Sequence, residues 1–290
     1  MVPTLASIPS PSFNTFDIGP LTIHVYGILM GIAVATAYVV TVARYERFGG
    51  ERAAAERAAF WAVVIGFIGA RLAYVSTHLD RIEGDWLFPF KIWEGGIALF
   101  GGLTFGTLAV VWTLRRRGGD FPVFLDAIAV GLPAAQAIGR WGNYFNQELF
   151  GTPTDLPWGL EIDQVHRPAA YLDSPTFHPT FLYESLWNAG LVLLLLWLER
   201  RTRWRRGRLF MVYLTLYGAM RFLLELIRTD TTFRFLGLSR NGWVALGATL
   251  GGAILFWWMR GRRPEDAGGD GDEQPTGTEQ GPAAGEAGTG

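Results

Sequence analysis

The chain has 290 residues, half of them apolar, with 25 basic and 26 acidic side chains and no cysteine, which excludes disulfides, thiolate metal sites and a cysteine nucleophile. Charged residues make up 18%, below the roughly 25% of ordinary soluble domains. The near-zero balance hides a division, because residues 264–290 hold seven acids, eight glycines and no base, leaving 25 bases against 19 acids in residues 1–263.

Uncharged runs are long. Val25 to Ala43 is 19 residues, Gly95 to Leu114 is 20 and Gly242 to Met259 is 18; a helix needs roughly 20 such residues to cross the hydrocarbon of a bilayer. Four further stretches carry one or two charges: about 58–79 with Arg71, 121–141 with Asp126, 181–198 with Glu184, and 209–227 with Arg221 and Glu225. All are apolar around their whole circumference rather than along one stripe, which argues against core helices of a soluble protein. The expected fold is an all-α membrane protein of seven spans. The spacings Gly27/Gly31, Gly102/Gly106 and Gly247/Gly251 are expected to let helices approach closely in lipid.

Orientation follows from the arginines, since basic loops stay cytoplasmic. Sixteen follow spans one, three, five and seven, and six basic residues lie on the other side; Arg71, Arg140 and Arg221 remain within or at the edge of spans. The N-terminus is therefore expected outside and the C-terminus in the cytoplasm. No basic residue precedes Arg44, so the start lacks a signal peptide's positive region and should remain as the first span. Residues 1–263 form the membrane domain in this reading. Its outside loop, about 142–180, is long and rich in proline and aromatic residues, which suggests an ordered module. Residues 264–290 are too polar and glycine-rich to bury a core and are expected to be a disordered cytoplasmic tail.

Charges inside spans are costly and usually functional. Taken in chain order, His24 and Tyr26 open span one, Arg71 lies in the outer part of span two, and span four ends in the run Gly139-Arg140-Trp141-Gly142-Asn143-Tyr144-Phe145-Asn146-Gln147-Glu148-Leu149-Phe150-Gly151. His178 to Glu184 opens span five. In span six, Tyr217, Arg221, Glu225 and Arg228 are spaced by four, four and three, which sets them on one helical stripe where Glu225 can pair with either arginine. All these groups fall in the outer half. Three intramembrane arginines imply an anion, because a guanidinium grips phosphate with two parallel hydrogen bonds; in this leaflet the anion is a phospholipid headgroup. No HExxH, GxSxG or GxxxxGK[ST] motif occurs. A non-enzymatic lipid scramblase or transporter would instead spread polar residues through the full membrane depth.

These residues resemble the bacterial prolipoprotein diacylglyceryl transferases. The match is carried by Gly139-Arg140-x-Gly142-Asn143-x-x-Asn146-x-Glu148-Leu149-x-Gly151, and by His24-x-Tyr26-Gly27, Gly69-x-Arg71, Trp93-x-Gly95-Gly96, Gly101-Gly102, His178-Pro179-x-x-Leu182-Tyr183-Glu184 and Tyr217-Gly218-x-x-Arg221-x-x-x-Glu225-x-x-Arg228, in family order from about residue 20 to 260. The resemblance implies transfer of the diacylglyceryl group of phosphatidylglycerol to the thiol of a prolipoprotein's lipobox cysteine, giving a thioether and glycerol phosphate at the outer leaflet of the cytoplasmic membrane. Two positions depart from it. Phe100 stands where many relatives have histidine, and Phe181 where glutamine is frequent.

Under that reading Arg140 and Arg221 are expected to hold the phosphodiester and stabilise charge on the leaving phosphate. Asn143 and Asn146 orient the headgroup. Glu225 positions Arg221, Glu148 either positions Arg140 or accepts the thiol proton, and Tyr26 donates to a phosphate oxygen. Arg71, His24, Tyr217 and Gly151 complete the expected lipid site. The expected partners are phosphatidylglycerol, lipobox peptides and the bilayer, with no metal, cofactor or nucleic acid.

Overall fold

The computed structural model describes residues 7–92, 95–202, 204, 206–229 and 234–261. The acidic tail and Trp93 of the sequence reading, with four of its cytoplasmic arginines (Arg203, Arg205, Arg262, Arg263), lie outside them. Among the described residues eight α-helices follow in order: α1 (Val25–Arg47), α2 (Arg52–Ser76), the one-turn α3 (Asp80–Gly84), α4 (Leu99–Arg116), α5 (Phe121–Phe145), α6 (Thr180–Arg201), α7 (Arg208–Ile227) and α8 (Arg240–Trp258). Each long uncharged stretch of the sequence has most of its length in one of the seven long helices, with residues 95–98 preceding α4 and Met259 following α8. Five of these, α1, α2, α5, α6 and α7, are long and apolar enough to cross a membrane; α4 and α8 carry Arg115-Arg116 and Arg240-Asn241 at their ends. The only strands among the described residues form three small hairpins, β1–β2 (Thr15–Ile18, Leu21–His24), β3–β4 (Leu160–Glu161, Thr176–Phe177) and β5–β6 (Arg234–Phe235, Leu238–Ser239).

Local chemistry accounts for the helix ends. Asp120 caps α5 by accepting the Val123 N–H at 3.1 Å, with Pro122 in the first turn where a missing N–H costs nothing. Ser239 caps α8 through the Gly242 N–H at 2.9 Å. Arginines 44 and 47, 115 and 116, and 200 and 201 occupy the last turns of α1, α4 and α6, where cations favour the helix dipole. Large apolar side chains face outward, among them Val39, Leu193 and Ile254, the last 64% exposed. Apolar surface on that scale belongs against lipid, and the chain is an all-helical membrane protein.

Four contacts carry the packing: α2 with α4, α1 with α5, α5 with α6, and α7 with α8. Glycines set the first and last. A Cβ at Gly101 would lie 2.5 Å from the Gly69 carbonyl oxygen, and one at Gly106 3.1 Å from the Ala62 oxygen, so α2 and α4 touch backbone to backbone. Gly218 and Gly252 do the same for α7 and α8, against Thr249 and Thr215. Gly27, Gly31, Gly247 and Gly251 have nothing within 4 Å of a modest side chain. Two of the three GxxxG spacings thus do not mark close packing here, because these glycines face away from the neighbouring helices.

The pair α2–α4 touches the rest of the bundle mainly at one end. There Val42 and Tyr45 of α1, Ala54, Ala55 and Ala58 of α2, Leu114 of α4 and Phe124 and Ala127 of α5 form one buried cluster. At the opposite end the segment between α5 and α6 has a small core of its own, with Phe150, Leu160, Ile162, Phe177 and Phe181. Residues 7–10 strap across it: Ile8 bridges to Leu160, and Ser10 donates to Asp163 at 2.9 Å.

Candidate functional site

A cavity of about 660 Å³ runs along the seam between α1–α5 and α2–α4. Its walls change character along their length. Near the α1 N-terminus and the α5 C-terminus they carry Tyr26, Arg140 and Asn143, with Tyr217 from α7; deeper they are formed by Ala37, Val63, Val110, Phe124 and Ile128. Phe124 lies 16 residues before Arg140, roughly 24 Å at about 1.5 Å per residue. A polar head above a long apolar slot is the shape of a phospholipid.

Arg140 is held from two sides. Its Nη2 lies 2.5 Å from Glu184 Oε2 on α6, and its Nη1 donates to Asn143 Oδ1 at 3.3 Å. Glu184 is 3% exposed, so the carboxylate is a fixed counter-charge. Asn143 in turn donates from Nδ2 to Glu148 Oε1 at 2.9 Å, and Asn146 reaches the same oxygen at 3.5 Å. Glu148 is exposed. The positioning role that the sequence left open for Glu148 thus falls to Glu184, and Glu148 reaches Arg140 only through Asn143.

The turn carrying Glu148 is strained. Gln147 and Leu149 flank it with φ of 50° and 59°, a left-handed conformation that costs non-glycine residues energy and persists only where surroundings impose it. The surroundings are visible. Gln147 donates to Asp163 Oδ2 at 2.6 Å and accepts the Asp163 N–H at 2.8 Å, while Thr180 Oγ1 donates to the Leu149 carbonyl. Leu149 itself lines the cavity. Gly142 lets α1 approach, since a Cβ there would lie 2.7 Å from the Tyr26 ring.

Arg221 pairs with Glu225 at 2.7 Å, four residues on, and Glu225 also accepts Ser239 Oγ at 2.6 Å. Ser239 therefore caps α8 and fixes the carboxylate that fixes Arg221. Arg221 is not among the described residues of the cavity wall, although Tyr217, one turn earlier, is.

Arg71 is placed differently from expectation. Its Nε donates to Pro89 O at 3.0 Å, Nη1 to Gly95 O at 2.6 Å and Gly96 O at 2.9 Å, and Nη2 to Phe88 O and to Lys91 O at 3.2 Å. All five N–H groups of a guanidinium are consumed by backbone carbonyls. Arg71 organises the α3–α4 connection, and the expectation that it binds lipid phosphate gives way. His24 is exposed at the N-cap of α1, outside the cavity wall. Gly151 serves backbone packing: it donates to His178 O at 3.0 Å and bridges to Arg228.

Phe100 stands at the start of α4 and Phe181 packs against Trp141 and Tyr144, with ring centroids 5.4 and 4.9 Å apart. Neither offers a proton. Glu184, Gln136 and Ser239 were not assigned from sequence, although Glu184 stood out there as a charge inside an apolar run.

Comparison with known proteins identifies the family. Residues 14–258 match the family described as Prolipoprotein diacylglyceryl transferase. The phosphatidylglycerol-prolipoprotein diacylglyceryl transferase 2 of Streptomyces coelicolor is 40% identical over 97% of this chain and 93% of its own length. The enzyme of that name from Cutibacterium acnes is 43% identical over 92% and 90%, and that of Streptomyces griseus subsp. griseus 44% over 83% and 74%.

Proposed function

The chain belongs to the prolipoprotein diacylglyceryl transferase family, and we propose that it works through the Arg140-headed cavity, holding phosphatidylglycerol with its phosphate at Arg140 and its acyl chains between α1–α5 and α2–α4. It is a transferase, moving the diacylglyceryl group from phosphatidylglycerol to a prolipoprotein. The relatives' names lend nothing to the scramblase or transporter alternative. The observation that carries the site assignment is the cavity itself, polar at Arg140, Asn143 and Tyr26 and apolar for the rest of its length.

In this reading all seven long helices span the cytoplasmic membrane. The arginine-rich ends of α1, α4 and α6 face the cytoplasm, so the Arg140 end of the cavity lies in the outer leaflet, beside the 142–180 segment. That segment then covers the site from outside, where the lipobox peptide arrives.

The substrate thiol, with a free pKa of about 8.5, reacts as thiolate. Its proton passes to Glu148, the exposed carboxylate at the mouth, and from there to water. The sulfur attacks the glycerol carbon bearing the phosphate, the carbon–oxygen bond breaks, and its electron pair stays on the phosphate oxygen. A thioether and glycerol phosphate result. Arg140 stabilises the charge arriving on that oxygen, Asn143 and Asn146 keep Glu148 and the headgroup in register, and Tyr26 donates to a non-bridging oxygen. Arg221, held by Glu225 and Ser239, supplies positive potential from α7, and Tyr217 on the same stripe closes the wall. No step needs a histidine at position 100.

The test is direct. Purified protein in detergent receives phosphatidylglycerol and a lipobox peptide, and the peptide's mass gain and released glycerol phosphate are measured together. Equal amounts of both, absent with a Cys-to-Ser peptide, are expected. Folded protein that yields neither across several lipids would overturn the assignment.

A further inference from the structure

One polar side chain of the cavity has no part in the scheme above. Gln136 lies on α5 one helical turn before Arg140, in the wall, with Leu132 and Ile128 continuing below it. An amide in such surroundings costs free energy unless its donors and acceptor are met. Its acceptor is met: Tyr213 on α7 donates its hydroxyl to Gln136 Oε1 at 3.3 Å. Tyr213 is itself 4% exposed and stacked on Tyr217, centroids 5.6 Å apart at 19°, so the amide's orientation is set by a rigid partner. Its Nε2 has no protein acceptor among the described residues and is left for whatever fills the cavity.

What lies there follows from the lipid's own chemistry. With the phosphate at Arg140, the next polar atoms toward the tails are the ester carbonyls of the diacylglyceryl group, and one helical turn is about 5.4 Å. We propose that Gln136 donates from Nε2 to an ester carbonyl of the bound lipid, making it a specificity-determining residue that favours diacyl over dialkyl phosphatidylglycerol. This rests on the cavity reading given above. The bond that breaks joins the glycerol carbon to the phosphate oxygen and neither acyl ester is cleaved, so a dialkyl lipid remains chemically competent and the preference falls in KM.

The experiment compares diester and diether phosphatidylglycerol of matched chain length with the full chain in detergent, reading kcat and KM from the peptide's mass gain. Wild type is expected to show a KM about 5- to 10-fold higher for the diether, the size of one hydrogen bond, with kcat unchanged. Gln136→Leu should raise the diester KM to the diether value and leave the diether KM alone; Tyr213→Phe, which frees the amide to turn, should move the same way by less. Equal KM values in wild type overturn the inference even where a variant does not fold, and so does a Gln136→Leu protein that keeps the ester preference. A parallel Arg140→Ala arm separates the two readings: loss of turnover on both lipids keeps the cavity assignment standing whatever Gln136 does, whereas full turnover on both would remove that assignment and this inference with it.

Discussion

Glu184 Oε2 on α6 lies 2.5 Å from Nη2 of Arg140 on α5, a pair joining residues 44 positions apart with the carboxylate almost wholly buried. Removing one partner of a buried pair strands the other charge, whereas removing both does not. Arg140→Ala and Glu184→Ala should therefore each lower stability by about 3–5 kcal/mol. The double variant Arg140→Ala/Glu184→Gln should recover most of that loss in thermal unfolding while remaining inactive, because the phosphate ligand is still missing. Recovery of transfer activity in the double variant would show that Arg140 is only structural. Arg140→Lys should also transfer poorly, since an ammonium lacks the planar fork.

Asn143 and Asn146 should not be equivalent. Asn143 joins Arg140 to Glu148 through bonds of 3.3 and 2.9 Å, while Asn146 reaches Glu148 only at 3.5 Å. Asn143→Ala is expected to lower kcat by roughly 10- to 100-fold and Asn146→Ala by less, on the scale of one weak hydrogen bond. Steady-state kinetics with the lipobox peptide decides the order, and a reversed ranking contradicts the relay.

Because Arg71 gives every donor to carbonyls between Phe88 and Gly96, Arg71→Lys should loosen that segment. Limited proteolysis near residues 88–92 should accelerate and the unfolding temperature should fall, with KM for phosphatidylglycerol within about twofold of wild type. A large rise in KM with unchanged proteolysis would restore the lipid-ligand role.

The tight pairing of α2 and α4 makes Gly101 intolerant of a side chain, since a Cβ would sit 2.5 Å from the Gly69 oxygen and 2.4 Å from the Ala73 Cβ. Gly101→Ala should cost about 1–3 kcal/mol by overpacking. Gly27→Ala, with open space around it, should be close to neutral. Thermal unfolding in one detergent compares the two.

Asp163 carries the pH dependence of the loop segment. The Gln147 side-chain amide, and then Ser10, hold its carboxyl below the ordinary 3.8. A depressed folded-state pKa contributes stability that is complete above the unfolded value and is lost as pH falls through the folded one. Amide protection factors, with the intrinsic pH dependence of exchange divided out, should therefore fall at residues 8 and 159–163 only below about pH 3.8, and Asp163→Asn should show the lowered protection at every pH.

Much of this was legible before the fold was known, for reasons of scale. Hydrocarbon thickness forces long uncharged stretches, and helix dipoles favour arginines at the ends of α1, α4 and α6. Arg221 with Glu225 was also readable, because four residues make one helical turn. Partners across helices were not. Nothing in the spacing of Arg140 and Glu184 reveals their meeting, nor that Tyr213 would aim Gln136, since both depend on how α5 packs against α6 and α7. Arg71 misled for a related reason: an intramembrane arginine meets an anion or a cluster of carbonyls, and only the path of the chain between α3 and α4 distinguishes them.

With the lipid in the seam and its phosphate at Arg140, the acyl chains lie against the deep walls of the cavity. Phosphatidylglycerol carrying a photoreactive diazirine at the end of one acyl chain, irradiated with the protein and mapped by peptide mass spectrometry, measures this most directly. Adducts are expected on the deep walls, at residues such as Ala37, Val63 and Ile128, outcompeted by unlabelled phosphatidylglycerol and lost in Arg140→Ala. Adducts confined to outward-facing residues such as Val39 and Ile254, indifferent to competitor and to Arg140, would contradict it.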